Sequence, residues 1–477
     1  MEYLKQEYLT QAPVCRTFEH AVVIGGSMAG LLAARVLSEH FEHVTIVERD
    51  RIPNEPTPRK GVPQGQHGHI LQLKGTAVLR ELFPDLFPKM AQEGSALLDT
   101  SEIYQHYFGF WKAPLPIKAQ AVYQSRPFLE EHVRKFVAAR GNVRIIEDCH
   151  VTQLCVQDHR VKGVFLRSHV STQQEELLQS DFVMDASGRS SRTSQWLASM
   201  GYGPVKETSV TSNCSYATRI YRFPRGFPFD WKALLVYPTP PHEKRGGAML
   251  PIEDGCWMVS VIGLAGASVP DDEEGFLEFA CSLPIPHIYE AIKVGEPVSP
   301  IVLYRYPTSR WRHYERMFHL PDGLVITGDA LCSFNPIYGQ GLTVAALEAK
   351  QLDVCLREHQ ETQGISDGWT HHIQRSFVNV LKGPWNLSTS DDFRYPQNKG
   401  KRPFGTRLFN WYMLRVHKAM VFNSSSALRG FEVQMQLKPL QALFEPHIVW
   451  EILYQSLRPR RQGPEGPSVR PTTKRIV

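Results

Sequence analysis

The hydrophobic pattern near the start of the chain predicts a strand, a helix and a second strand in succession. An apolar strand is expected over residues 21–24, followed by a glycine-rich turn and a helix-forming run over residues 31–37. A second apolar strand, residues 44–47, ends on the acidic Glu48. This order, with an acid after the second strand, is typical of a βαβ unit that binds a dinucleotide.

The turn of this unit carries small residues where a pyrophosphate would approach. Gly25 allows the strand to turn sharply, and Gly30 allows the helix to pack closely on the sheet. Ser27 replaces the middle glycine of the usual Gly-x-Gly-x-x-Gly pattern. Free N–H groups at the helix N-terminus favour a phosphate, and Glu48 is placed to accept hydrogen bonds from ribose hydroxyls. The alternative is an ordinary βαβ edge with a glycine-rich turn.

Composition and charge exclude several classes of protein. The chain has 477 residues, 42% of them hydrophobic, and a net charge of only +5 without dense basic runs, so we expect no nucleic-acid partner. Its 8 cysteines are scattered without a Cys-x-x-Cys pair, which argues against a zinc site and fits a reducing compartment. There is no signal-peptide pattern and no bilayer-length apolar run, so we expect a cytoplasmic protein.

A second motif indicates the kind of dinucleotide. Gly328 and Asp329 follow an apolar strand, and residues 336–342 then open a long helix. Asp329 is suited to accept hydrogen bonds from ribityl hydroxyls. The N–H groups around residues 339–342, with the helix dipole behind them, favour the negative edge of a reduced flavin. This combination predicts FAD as the cofactor.

Four segments, residues 48–50, 59–69, 251–257 and 328–341, give the chain a specific resemblance. It resembles the FAD-dependent monooxygenases of the para-hydroxybenzoate hydroxylase fold. Among these it is similar to the bacterial epoxidases of polyether antibiotic biosynthesis, which are distantly related to squalene epoxidase. The similarity extends over about residues 20–450.

The resemblance implies a fold class and a reaction. The fold would be α/β, with a Rossmann-type FAD-binding domain, an inserted β-rich substrate domain and a C-terminal helical region. Non-covalent FAD would take electrons from NADPH or NADH, directly or indirectly. One oxygen atom from O₂ would pass through a flavin C4a-hydroperoxide to an alkene of a lipophilic terpenoid or polyketide in secondary metabolism. Alternatives are hydroxylation on the same scaffold, an isoprenoid double-bond reductase and a catalytically silent FAD-binding partner protein.

The implied domain boundaries follow the changes in pattern along the chain. The FAD-binding domain would comprise residues 17–100, 125–204 and 319–363, the substrate domain residues 101–124 and 205–318, and the helical region residues 364–457, before a disordered tail at residues 458–477. Residues 407–418 form a basic amphipathic helix that we expect to cap the body rather than to contact a membrane.

The resemblance also implies cofactor contacts. Gly25, Ser27 and Gly30 would meet the FAD pyrophosphate, Glu48 the adenosine ribose, and Asp329 the ribityl chain. The flavin ring would be positioned by Gly339, Gln340 and Gly341, together with Leu342, and the sequence identifies no protein acid or base. The other expected FAD contacts are Gly26, Arg49, Arg59, Lys60, Arg126, Val151, Asp185, Gly328 and Pro336.

One motif departs from the family. The pattern Asp-Gly-x-x-Ser-x-x-Arg, which helps to position FAD and the nicotinamide, is only partly present: Asp185 and Arg192 remain, but the glycine and serine are missing. We therefore expect direct reduction by NAD(P)H to be slow, with a separate flavin reductase as a possible electron source.

Weaker signals point to a substrate cavity and not to a metal. His67 and His69 form a His-x-His pair without further ligands nearby, so we expect no metal site. The Trp-x-Trp-x-Ile-Pro signature of flavin halogenases is absent, and no lysine is identified in its place. An aromatic set is expected to be partly core and partly cavity wall: Tyr104, Tyr107, Phe108, Phe110, Trp111, Phe223, Phe227, Phe229 and Trp231.

Overall fold

The computed structural model describes residues 18–112, 115, 119–168, 175–224, 229, 231–361, 368–457 and 466–467. Phe227 and, except for residues 466–467, the predicted tail lie outside the described residues. The strands are β1 (Phe18–Ile24), β2 (Phe41–Val47), β3 (Ala96–Asp99), β4 (Ile103–Tyr107), β5 (Phe110–Trp111), β6 (Gln120–Tyr123), β7 (Val143–Ile146), β8 (Cys149–Gln157), β9 (Arg160–Ser168), β10 (Glu176–Gln179), β11 (Phe182–Asp185), β12 (Glu207–Arg222), β13 (Ala233–Val236), β14 (Arg245–Pro251), β15 (Cys256–Gly263), β16 (Glu296–Pro297), β17 (Val302–Arg312), β18 (Leu324–Ile326) and β19 (Cys332–Ser333). The helices are α1 (Met28–His40), α2 (Leu73–Leu82), α3 (Leu86–Gln92), α4 (Arg126–Ala138), α5 (Thr193–Ser199), α6 (Glu273–Cys281), α7 (His287–Ile292), α8 (Gly341–Glu361), α9 (Trp369–Asp392), α10 (Thr406–Phe422), α11 (Ser424–Gln434) and α12 (Pro446–Leu457).

A parallel sheet of 5 strands, in the order β18-β11-β1-β2-β7, forms the centre of the first layer. The predicted βαβ unit is confirmed as β1, α1 and β2, whose two strands pair in parallel. Ala21, Val22 and Val23 have no exposed surface, as expected for a parallel strand covered on both faces. The apolar run that predicted the strand is therefore the middle of the core.

The parallel strands end at one edge and define the position of a cleft. The register pairs Ile24 with both Val47 and Asp185, and Asp185 with Ile326. Each of these residues is the last of its strand. Because ligands of open α/β sheets bind outside the carboxyl ends of the strands, this edge is the expected ligand site.

A second sheet of 9 strands, in the order β19-β17-β12-β15-β14-β13-β4-β5 with β16 paired to β12, accounts for the predicted β-rich region. All its pairings are antiparallel except that between β13 and β4. The sequence interpretation missed α6 and α7 in this region, which bury Phe276 and Ile288 against the sheet. The start of α6 has a recognisable signal, since the Asp272 side chain accepts a 2.8 Å hydrogen bond from the N–H of Gly275.

The predicted C-terminal helical region is confirmed as α9 to α12. The helix α10 packs on α11 and α12 through Tyr412, Met413 and Val416, whereas Leu408 and Trp411 on its outer face are exposed. Among the described helices, none has the length and apolar character needed to cross a membrane.

Candidate cofactor and substrate site

A cavity of about 600 Å³ opens at the carboxyl edge of the parallel sheet and continues to the large sheet. This volume is in the range of cofactor and substrate sites, about 300–1,000 Å³. The wall on the side of the large sheet is formed by Tyr216, Leu235, Ala248, Leu250, Ser260, Ile262, Tyr304 and Tyr306. One continuous space therefore joins the two sheets.

The structure brings most of the sequence-predicted site residues together around this cavity. Those that line it are Gly25, Ser27, Glu48, Arg49, Arg126, Val151, Gly328, Asp329, Pro336, Gly339, Gln340, Gly341 and Leu342. Gly26, Gly30, Arg59, Lys60 and Asp185 are not part of its wall. These 5 residues lie behind the wall or, for Lys60, on the exposed surface.

Two of these glycines support the turn rather than form its surface. The N–H of Gly26 donates a 2.7 Å hydrogen bond to Oε2 of Glu48. A Cβ atom at Gly30 would lie only 1.8 Å from the carbonyl oxygen of Gly25, so this position has no room for a side chain. The predicted reason for a glycine at position 30, close packing of the helix on the sheet, is confirmed.

Asp185 holds its own loop. Its buried carboxylate accepts hydrogen bonds from the N–H and Oγ of Ser187 at 2.9 and 2.6 Å, from Oγ of Ser191 at 2.5 Å and from Oγ1 of Thr193 at 2.6 Å. Four donors saturate the carboxylate and fix the loop that follows β11. Asp185 thus positions the backbone at the edge of the cavity without facing it.

Two arginines and two glutamates form a buried cluster beside the N-terminus of α1. Nη1 of Arg59 lies 3.1 Å from Oε2 of Glu48, and Nη2 of Arg59 pairs with Oε1 of Glu130. Nε of Arg126 lies 3.4 Å from Oε2 of Glu130, and its Nη2 donates to Oγ of Ser27 at 3.1 Å. Sequence reasoning missed Glu130. The signal was available, because Glu130 follows Arg126 by one helical turn and shares its face of α4.

The charges in this cluster shift one another's pKa values. Burial opposes ionisation of Glu130, but Arg126 and Arg59 outweigh this effect and lower the pKa of Glu130. Burial likewise opposes the charge of Arg59, while Glu130 and Glu48 raise its pKa overall. For Arg126, burial prevails over Glu130 and Asp329 and lowers the pKa. The shifts of Glu130 and Arg59 therefore both favour the charged forms of these two side chains.

Asp329 lies in a single 3₁₀ turn after β18 and lines the cavity. Burial raises the pKa of its carboxyl, and Arg189, Arg126 and Arg312 oppose the shift. The preceding turn is held by Glu348 of α8, whose Oε2 accepts hydrogen bonds from Oγ1 of Thr327 at 2.7 Å and from the N–H of Gly328 at 2.8 Å.

The loop before α8 is anchored from α9. Nδ2 of Asn335 donates a 2.8 Å hydrogen bond to Oδ1 of Asp392, and the hydroxyl of Tyr338 donates to the same oxygen at 3.2 Å. Burial raises the pKa of Asp392 to about 8. These contacts fix the backbone that leads to Gly339.

Gly339 and Gly341 meet different requirements. Gly339 has a φ of +62°, and a Cβ atom there would make an ordinary 3.7 Å contact with Ile70. The requirement for glycine is therefore conformational. At Gly341 an added Cβ atom would have no atom of the described residues within 4 Å, so a side chain would extend into open space at the cavity.

None of the described members of the predicted aromatic set lines the main cavity. The Trp, Tyr and Phe side chains that line the main cavity are Trp196, Tyr216, Tyr237, Tyr304, Tyr306 and Phe334. Trp231 instead is 1% exposed in the core between the large sheet and its helices. Tyr107 lines a smaller cavity of about 130 Å³ under the C-terminal helices. Aromatic residues in a sequence do not distinguish the protein core from the wall of a cavity, because both environments are apolar.

The smaller cavity contains a lysine that sequence reasoning did not identify. Nζ of Lys112 donates a 3.3 Å hydrogen bond to Oε1 of Gln105, and burial lowers the pKa of the amine to about 8. Tyr237, Ile337 and Gln340 line both cavities. The two spaces are thus neighbours.

The histidine pair is held by hydrogen bonds within the protein. Nδ1 of His67 lies 2.8 Å from Oγ1 of Thr218, and Nδ1 of His69 donates to the carbonyl oxygen of His67 at 2.6 Å. Elsewhere in the described part of the chain, Cys355, Glu358 and His372 place potential ligand atoms within 4.8 Å of one another. That group lies on α8 and α9, outside the wall of the main cavity.

Comparison with known proteins identifies relatives of the chain. Protein Rv3254 of Mycobacterium tuberculosis (strain ATCC 25618 / H37Rv) is 36% identical over 411 residues, which cover 83% of this chain and 85% of the relative. The chain belongs to the family of Protein Rv3254. No family model matches it.

Solved structures with low sequence identity share its fold. The flavin-dependent brominase Bmp2 is 14% identical, with 92% of this chain and 99% of that chain covered and a TM-score of 0.64. The p-nitrophenol 4-monooxygenase PnpA from Pseudomonas putida DLL-E4 is 15% identical, with 88% and 99% covered and a TM-score of 0.61. The predicted fold class is confirmed: the chain has the α/β fold of flavin-dependent halogenases and monooxygenases, with a Rossmann-like core and C-terminal helices.

Proposed function

We propose that the protein binds FAD non-covalently and is a monooxygenase that inserts one oxygen atom from O₂ into a lipophilic substrate. The observation that carries this proposal is the continuous cavity of about 600 Å³, which joins the βαβ turn to the face of the large sheet. Asp329 lines the same cavity. Electrons come from NADPH or NADH, directly or through a separate flavin reductase.

The residues around the cavity fit FAD. Glu48 accepts hydrogen bonds from the adenosine ribose, and the N-terminus of α1 with Ser27 and Arg126 receives the pyrophosphate. Asp329 binds the ribityl hydroxyls, and the backbone of residues 339–342 lies along the flavin ring. The buried arginines support this assignment, because guanidinium groups suit phosphate recognition. The bound cofactor supplies the redox chemistry and the activation of O₂.

The protein's own contribution is to bind and orient the substrate and to exclude water. Leu235, Ala248, Leu250 and Ile262 form an apolar wall on the large sheet, suited to a terpenoid or polyketide body. Asp392 and Asn335 hold the loop beneath the flavin in one conformation. A fixed, dry surface favours oxygen transfer to the substrate over loss of the oxygen to water.

Epoxidation of an alkene is the reaction we propose first, since an alkene reacts without prior deprotonation. Hydroxylation on the same scaffold and reduction of an isoprenoid double bond are the alternatives. The test is to incubate the FAD-loaded protein with NADPH, a flavin reductase, O₂ and a panel of polyene and terpenoid alkenes. A product that gains one oxygen atom and loses the double bond supports epoxidation, one that gains one oxygen atom and keeps the double bond identifies a hydroxylase, and addition of two hydrogens identifies a reductase.

A second candidate, oxidation of a halide ion, is favoured by Lys112. Its amine is buried near the main cavity with a pKa of about 8, so a minor share is neutral and nucleophilic at pH 7. Bmp2, which has this fold, is a brominase. Bromide added to the same incubation separates the two functions, because a brominated product lost in Lys112→Arg supports halide oxidation.

A further inference from the structure

His67 lies at the end of the cavity that faces the large sheet. It follows a short 3₁₀ turn, Pro63–Gln66, and its side chain is 5% exposed. Its ring centroid lies 5.9 Å from that of Tyr216 and 5.4 Å from that of Tyr304. All three rings line the cavity. His67 is therefore part of the wall beside the proposed substrate space.

A chain of hydrogen bonds fixes the back of the imidazole. Nδ1 of His67 lies 2.8 Å from Oγ1 of Thr218, which lies 2.7 Å from Oγ of Ser260. Thr218 on β12 and Ser260 on β15 are direct partners in the sheet register. Two neighbouring strands thus present hydroxyls at the same height and set the orientation of the ring.

The front of the imidazole is unpaired. Nε2 of His67 is buried and has no hydrogen-bond partner among the described residues. A buried polar atom without a partner costs about 1–3 kcal/mol, which a ligand group recovers when it pairs with the atom. In a mainly apolar wall, this atom is suited to select a polar group on the ligand.

The protonation state of His67 limits which ligand groups can pair with its Nε2 atom. Burial lowers the pKa of His67 to about 4, so the ring is neutral at pH 7, with one nitrogen as donor and the other as acceptor. The tautomer depends on whether Thr218 donates or accepts. A hydroxyl group pairs with Nε2 in either tautomer, because it both donates and accepts.

We infer that His67 is a specificity-determining residue that binds, through Nε2, a hydroxyl group on an otherwise apolar substrate. This inference rests on the proposed function, since it assigns the large-sheet end of the cavity to the substrate. The substrate class becomes a lipophilic alcohol or phenol with its reactive double bond or ring held at a fixed distance from the hydroxyl.

Matched pairs of probes test the inference by binding alone. The FAD-loaded protein is titrated with geraniol and 2,6-dimethylocta-2,6-diene, and with 2-naphthol and naphthalene, because each hydrocarbon lacks the hydroxyl and can neither donate nor accept a hydrogen bond. Binding is followed by the flavin spectrum and by tryptophan fluorescence, since Trp196 lines the cavity. We expect the alcohol preference, defined as the ratio of alcohol to hydrocarbon affinity, to be about tenfold higher in the wild type than in His67→Leu for at least one pair, the value of one hydrogen bond to a buried group.

Three substitutions assign that preference to Nε2. His67→Leu removes both nitrogens and His67→Asn keeps a group only near the Nδ1 position, so both should lose the preference. His67→Gln places an amide near the position of Nε2 and should retain most of it. Thr218→Val should weaken the preference by releasing the ring, and Thr218→Ser should restore it. His132→Gln, at a buried histidine on α4 outside the cavity wall, is the matched control.

The inference is overturned if His67→Leu and His67→Asn keep the wild-type alcohol preference for both pairs of probes. Melting temperature and FAD content show that each variant is folded. Failure of the inference leaves oxygen insertion by the wild type intact, whereas failure of the proposed function removes FAD binding or oxygen insertion in the wild type itself. The two failures are therefore distinct.

Discussion

Ser27 donates a 2.6 Å hydrogen bond from its Oγ to Oε2 of Glu130, and this bond joins the N-terminus of α1 to α4. Glu130 also pairs with Arg59 and Arg126. The proposed phosphate end of the cavity thus contains a buried carboxylate between two guanidinium groups. A bound diphosphate would add negative charge beside these arginines and share them with Glu130.

Replacing Glu130 by glutamine should destabilise the protein without FAD and enlarge the stabilisation by FAD. The variant leaves the charge of Arg59 and Arg126 partly uncompensated, and loss of one partner of a buried pair costs about 3–5 kcal/mol. The FAD diphosphate then supplies part of the missing negative charge. Melting temperatures with and without FAD measure both effects. Glu131→Gln, whose carboxylate pairs with Lys135 at 2.9 Å, is the control, and an equal FAD-induced shift in all three proteins would contradict the prediction.

Asp329→Asn and Glu48→Gln should each weaken FAD binding by about 1.5–3 kcal/mol, the value of a hydrogen bond to a charged group. This corresponds to roughly 10- to 150-fold in the dissociation constant. FAD is titrated into the flavin-free protein and followed by quenching of flavin fluorescence. Asp353→Asn, on α8 outside the cavity wall, should bind FAD normally. Flavin that remains in the acid-precipitated protein would disprove the non-covalent attachment.

Gly341→Val should weaken FAD binding, or cause reduced flavin to convert O₂ to H₂O₂ without oxygenating the substrate. The substitution should not destabilise the protein. The new side chain enters open space at the cavity, and Gly341 lacks the positive φ of Gly339. Gly339→Val, by contrast, forces a β-branched residue into the left-handed region and should lower stability by about 1–2 kcal/mol. FAD affinity, H₂O₂ yield and melting temperature separate the two effects. Normal FAD affinity and coupling in Gly341→Val would place the flavin ring elsewhere.

Glu348 predicts a pH dependence of stability. Burial raises its pKa to about 7 from an ordinary value of 4.5, so the folded state favours the neutral carboxyl. The contribution to stability is full below pH 4.5 and is lost as the pH rises through about 7, with a total of about 3 kcal/mol. Glu348→Gln should therefore gain stability relative to the wild type between pH 5 and pH 8. Denaturant unfolding at both pH values measures this, and a constant difference would contradict it.

Local patterns predicted the elements better than their contacts. The run of small and apolar residues from Ala21 to Gly30 was sufficient for β1 and α1. Ser27 and Glu130, by contrast, are 103 residues apart in sequence. Their contact depends on how α4 packs on α1, which no local pattern contains.

The dependence on tertiary packing also explains two further differences between the sequence-based expectations and the structure. Asp185 was expected to contact the cofactor, but the hydroxyls that saturate its carboxylate became partners only when the following loop folded back. His67 was considered in the sequence only as part of a histidine pair without further metal ligands nearby. Its selective pairing with Thr218 depends on the register between distant strands. The sequence predicts the chemistry of a site when its residues lie within one turn of the chain. It does not predict that chemistry when residues from separate elements form the site.

Isotope labelling tests directly whether the protein inserts an oxygen atom from O₂ into its substrate. The FAD-loaded protein, NADPH and a flavin reductase are incubated under ¹⁸O₂ in ordinary water with polyene and terpenoid alkenes and the hydroxylated probes, and the products are analysed by mass spectrometry. We predict a product that contains one ¹⁸O atom from O₂. A product that gains two hydrogens, or an oxygen that comes from water, would contradict it.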